Sequence, residues 1–219
     1  MDSFLQPIRD QFEAASNPAR AEQMSAYMKG RFDYYGIMAT PRGEMLKAFI
    51  KAHGLPTDTE AVIHYCWDQP EREWQYVGME LVYRMRKQWP DDMDELIEFM
   101  VLNKSWWDTV DFIASNITGH WYKTTSPHPD HVMEAWNEHS NFWLNRVTMI
   151  SQLKYKDQVN EGRLFRYLTP HLEVNEFFIR KAIGWALRQY SKTHPDRVRH
   201  YVETHELKPL SYKEATKYL

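Results

Sequence analysis

The chain has 219 residues, 43% hydrophobic and 15% aromatic, which suffices for a real core and excludes a disordered tail or linker. Its 27 Lys+Arg and 30 Asp+Glu leave a net charge of −3, which excludes a strongly basic protein. Eight glycines leave little material for strand-rich turns or phosphate loops, and the single cysteine, Cys66, makes neither an internal disulfide nor a thiolate metal cage.

From the N-terminus onward, nearly every segment carries helical periodicity. Helices are expected over 3–14, 19–30, 41–53 and 57–66. In 72–89, Trp74, Val77, Met79, Leu81, Val82 and Met85 recur at helical spacing between charges. Segment 91–102 opens with acids, as the helix dipole favours, and puts Leu96, Phe99 and Met100 on one side. Further helices are expected over 106–118, 129–138, 141–153, 159–169, 174–192, 195–204 and 211–218. The turn-rich stretch GHWYKTTSPHPD, 119–130, is expected to be loose. Prolines such as Pro18, Pro90 and Pro195 fall between segments or in first turns. The fold class is therefore all-α, in a single domain over 1–219. No apolar run approaches the roughly 18 residues of a membrane helix, and MDSFLQPIRDQF lacks a signal-peptide core. A cytoplasmic protein is expected.

A weak repeat is visible. A shift of 35 lays Phe142, Trp143 and Arg146 on Phe177, Phe178 and Lys181. Such a period, with two helices per unit, marks an α-solenoid of the HEAT, armadillo or tetratricopeptide kind. Charge is uneven as well: residues 1–139 sum to −9 and residues 140–219 to +6. Either helical surfaces are simply biased, or a local basic face awaits a polyanion.

Three strings bear on chemistry. In Ser105-Trp106-Trp107-Asp108-Thr109-Val110-Asp111, Ser105 is placed to N-cap a helix, with Asp108 three residues on. Trp107 and Asp111, four apart, share a helix face and offer an indole beside a carboxylate. A core Trp beside a surface Asp is the commoner meaning of such a pair. In the string from Phe177 to Arg188, Lys181, Trp185 and Arg188 share a face, and Gly184 signals close packing at a cost of about 1 kcal/mol relative to Ala. Buried Trp185 with snorkelling cations is the plainer account. Arg146 projects from an aromatic helix start, as an ion-pair partner or a phosphate contact. His128 and His131 lack further metal ligands, and Cys66 reads as a buried small hydrophobe. No P-loop, Rossmann, Gly-x-Ser-x-Gly or His-Glu-x-x-His pattern is present.

These strings, with Ala26-Tyr27-Met28-Lys29, Trp143-Leu144-Asn145-Arg146 and Leu210-Ser211-Tyr212-Lys213-Glu214-Ala215, resemble the AlkD-like DNA alkylation-repair glycosylases, and the resemblance spans nearly the whole chain. It implies a solenoid of HEAT-like repeats whose concave face holds duplex DNA. The implied reaction is monofunctional excision of cationic N3- or N7-alkylated purines, without a cofactor or metal, by a monomer. Asp111 matches the catalytic carboxylate, and Trp107 and Trp185 match the aromatic pair flanking the lesion. Tyr27 joins them as a lesion-binding residue. Arg146 matches a contact to the DNA backbone, and Lys181 and Arg188 are expected to bind DNA beside it. The resemblance also implies that the base need not enter a deep pocket, unlike the usual flipped arrangement. Two other classes stay open: a non-catalytic protein binding bent, branched or damaged DNA, and a protein-binding scaffold.

Overall fold

A computed structural model describes residues 1–125 and 127–219. Among these residues the fold is all-α, with one isolated bridge between Asp33 and Glu71. No helix among them is long and apolar enough to cross a membrane. Two compact units emerge, Met1–Leu96 and Ile97–Leu219.

The first unit holds α1 (Asp2–Ala14), α2 (Pro18–Tyr27), α3 (Ala39–His53), α4 (Thr59–Asp68) and α5 (Arg72–Arg84). Asn17 and Asp58 cap α2 and α4 by accepting the N–H groups of Arg20 and Ala61, which satisfies donors that a helix start leaves open. Leu5, Ile8, Phe12, Leu46, Phe49 and Trp74 are buried in this unit, and so is Cys66, whose thiol pKa burial pushes up. The loop before α3 is tied down by a buried carboxylate. Glu73 accepts the backbone N–H groups of Tyr35 (3.2 Å), Gly36 (3.0 Å) and Ile37 (3.0 Å). Burial raises the Glu73 pKa, and these donors oppose the rise. Gly36 is obligatory here: its φ is +88°, and a Cβ would meet the Asn17 carbonyl oxygen at 2.3 Å.

The helices that follow are α6 (Met93–Leu102), α7 (Trp107–Phe112), α8 (Gly119–Thr124), α9 (Asp130–Glu138), α10 (Phe142–Ile150), α11 (Glu161–Leu168), α12 (Phe177–Ser191), α13 (Pro195–Thr204) and α14 (Pro209–Ala215). A π-helical turn, Ile113–Thr118, joins α7 to α8. α10 packs against α7, α9, α11 and α12, while α12 packs against α13 and most extensively against α14. The repeat is sharper in the structure than in the sequence. α5, α7, α10 and α12 begin at Arg72, Trp107, Phe142 and Phe177, each 35 residues after the last. Asp111, Arg146 and Lys181 thus occupy the fifth position of three successive helices of one type.

Two local expectations are corrected. Residues 119–124 of the stretch expected to be loose are α8, because the π-helical turn carries the helix onward and buries Trp121 and Tyr122. The Tyr122 hydroxyl binds Asp130, and His128 Nδ1 meets the Tyr122 carbonyl oxygen at 2.9 Å. Ser105 does not cap α7. Its hydroxyl donates to the Val101 carbonyl at the end of α6, and extended Trp106 precedes the helix.

Candidate functional site

The cleft lies within the second unit, and three helix starts build it. α7 supplies Trp107 and, one turn later, Asp111; α10 supplies Arg146; α12 supplies Phe177, Phe178, Lys181, Trp185 and Arg188. These eight residues line a cleft of about 340 Å³. Phe178, Lys181, Trp185 and Arg188 follow one another at +3, +4 and +3, the spacing of one helical face.

The floor is aromatic. Trp106 and Trp143 pack on Phe178, with ring centroids 5.2 and 4.8 Å away. Phe177, also 5.3 Å from Phe178, is 51% exposed at the first position of α12. Helical periodicity places Phe177 in the helix but does not mark it as a site residue. Its exposure, which a string of apolar letters cannot show, is what distinguishes it from Ile179 and Ile183.

Arg146 departs from its expected place as a surface contact. It is 2% exposed, and its guanidinium holds both oxygens of Asp111: Nε to Oδ1 at 2.7 Å and Nη2 to Oδ2 at 2.9 Å. Its remaining nitrogen donates to the Phe178 carbonyl oxygen. A planar guanidinium matched to a carboxylate in this two-pronged way fixes both groups in orientation. The physical reason is packing: the fifth position of α10 faces both α7 and α12, so a cation there is enclosed instead of presented to solvent.

Burial nevertheless dominates Asp111. It pushes the carboxyl above the ordinary carboxylate range, Arg146 pulls it back, and the nearby Asp108 charge adds to the rise. The result is a carboxylate that is oriented, partly exposed and poorly hydrated, with two half-buried indoles lining the same cleft.

Lys181 and Arg188 are brought to the same cleft, and both bind Glu214 of α14. In the sequence Glu214 stands in the terminal segment Leu210-Ser211-Tyr212-Lys213-Glu214-Ala215, where no local signal marks its partners. Gly184 shows how α14 gets so close: a Cβ on it would lie 2.5 Å from the Glu214 Cβ and 2.8 Å from the Ser211 carbonyl oxygen. Tyr27 belongs to the first unit. It ends α2 and is 69% exposed.

Residues 8–219 match the family described as DNA alkylation repair enzyme. The chain belongs to that family. A solved structure, a predicted DNA alkylation repair enzyme from Enterococcus faecalis, is 34% identical with a TM-score of 0.85, covering 93% of this chain and 96% of that one. No curated protein matches the sequence. Family membership sets the role as repair of alkylated DNA, which makes DNA the partner.

Proposed function

We propose that this family member is a monofunctional DNA glycosylase that hydrolyses the N-glycosidic bond of N3- or N7-alkylated purines in duplex DNA, acting as a monomer in the cytoplasm on a HEAT-like scaffold. One observation carries the reading: a carboxylate locked by a buried guanidinium opens into a cleft shared with two indoles.

The chemistry follows from charge. Alkylation at a purine ring nitrogen makes the base cationic, so it leaves with the glycosidic electron pair as a neutral molecule and needs no protonation. Trp107 and Trp185 present π faces that favour the cation, by roughly 0.5–2 kcal/mol each. As the bond stretches, positive charge moves onto the deoxyribose, as in glycoside hydrolysis. Ionised Asp111 stabilises that charge and orients the water whose oxygen bonds to C1′; the water's proton passes to the carboxylate. Arg146 keeps Asp111 aimed and ionised, and Lys181 and Arg188 meet phosphates beside it. Tyr27 is assigned to the lesion side of the substrate.

The test is single-turnover release of N7-methylguanine from methylated duplex DNA by wild type and Asp111→Asn. A loss of about 100-fold or more is expected for the variant. Equal release by both proteins would remove Asp111 from the mechanism, and no release by wild type would end the glycosylase reading.

A further inference from the structure

α12 and α14 pack against each other more extensively than any other helix pair of the second unit. Lys181 and Arg188 sit one turn before and one turn after Trp185 on the same face. Both reach to Glu214, which does not itself line the cleft. The Glu214 side chain is 15% exposed, and the Ser211 hydroxyl anchors its helix by donating to the Arg180 carbonyl at 3.0 Å. Two cations therefore bracket the indole, and one carboxylate spans them both.

The charges around the cleft are Arg146, Lys181 and Arg188 against Asp111 and Glu214, with Asp108 acting on Asp111 and Lys217 on Glu214; four cations against three carboxylates leave one net positive charge. That residue of charge poses a conflict. Phosphates require cations, whereas a cationic base is repelled by them. A second uncompensated cation a few ångströms from the base would oppose it by an amount comparable with the attraction of one indole.

We propose that Glu214 is a specificity-determining positioning residue: it cancels one of the two cations flanking Trp185, so that a cationic base is accepted beside the indole while the remaining charge meets the DNA backbone. The inference rests on the glycosylase reading above. Gly184 is part of the same device, since only a residue without a Cβ lets α14 bring Glu214 within reach of both cations.

The test measures binding, not turnover. Anisotropy titrations compare an undamaged duplex with one carrying 2′-fluoro-stabilised N7-methylguanine, across a salt series, for wild type, Glu214→Gln and the double variant Lys181→Gln/Glu214→Gln. Glu214→Gln is expected to bind undamaged duplex about three- to tenfold more tightly, with a salt slope steeper by about one. Its preference for the lesion duplex should fall at least about threefold, and the double variant should restore it. An unchanged preference in Glu214→Gln overturns the proposal, as does a loss that the double variant fails to restore, which would make Glu214 a structural brace only. Arg188→Gln shifts the charge the other way with Glu214 intact, and serves if Glu214→Gln does not fold. It should weaken undamaged binding, flatten the slope and raise the preference; a lowered preference overturns the proposal. Wild type that releases N7-methylguanine while Glu214→Gln matches it in every titration refutes the Glu214 role alone. Wild type with neither release nor lesion preference refutes the glycosylase reading.

Discussion

Replacing Arg146 with Met removes the cation that holds Asp111 and leaves a carboxylate in a site that already disfavours its charge. The Arg146 side chain is 3% exposed and that of Asp111 19%. Breaking a fully buried ion pair costs about 3–5 kcal/mol, and the partial exposure of Asp111 sets the value near the lower end, about 3 kcal/mol. For a chain of this size each kcal/mol moves the melting temperature by about 2–4 °C, so a drop of about 6–12 °C is expected in a thermal melt. The pH profile gives a second readout. Burial raises the Asp111 pKa and Arg146 opposes the rise, so losing Arg146 drives it further up. The ionised form is the active one, hence activity fails on acidification at a higher pH than in wild type. Single-turnover excision from pH 5 to 9 measures that limb. In the double variant Asp111→Asn/Arg146→Met the unpaired charge is gone, and the stability loss should be smaller than the sum of the singles. An Arg146→Met protein that melts within about 2 °C of wild type and keeps its acidic limb in place would refute the reasoning.

Trp107→Ala and Trp185→Ala should each slow release of N7-methylguanine by about 2- to 30-fold, the kinetic equivalent of one cation–π contact; an unaltered rate in both removes the indoles from lesion sensing. Gly184→Ala forces α14 away from α12 and should lose about 1–3 kcal/mol in urea denaturation. Glu73→Ala leaves the N–H groups of Tyr35, Gly36 and Ile37 without their acceptor, at a cost of about 3 kcal/mol by the same measurement. The Tyr122 hydroxyl, helped by Arg163, holds the Asp130 carboxyl below its ordinary range. Its contribution is therefore present above the usual carboxylate pKa and is lost as pH falls through the lowered value. Asp130→Asn should flatten the decline of the urea midpoint between pH 7 and pH 3.

Much of the architecture was legible from local rules. Helices near Trp107 and Phe142 follow from periodicity, with Asn141 accepting the N–H of Trp143, whereas the helix expected from 174 begins at Phe177, where Glu176 accepts the N–H of Phe178, and the expected Ser105 cap is absent from α7. The pairing of Trp107 with Asp111 needed only a four-residue spacing. Arg146 was legible as a site residue but not as a buried one, because burial depends on what packs over α10. The helical character of 119–124 was hidden too: Gly119 reads as a turn residue, yet it continues the π-helical turn, and it is glycine because the Ser151 carbonyl oxygen lies 2.4 Å from where a Cβ would stand. Glu214 was invisible as a functional residue, being 33 and 26 positions from its two partners.

Local sequence dictates an all-α chain with a recurring helical unit and the residue types at the fifth position of α7, α10 and α12, because those features depend on hydrogen bonds and side-chain spacing within a few turns. The locking of Asp111 to Arg146, and the tie that Glu214 makes between Lys181 and Arg188, come from packing between helices distant in the chain. Charges so far apart in sequence meet through packing, and the burial that packing imposes decides whether a carboxylate is a solvated surface group or an oriented, poorly hydrated one.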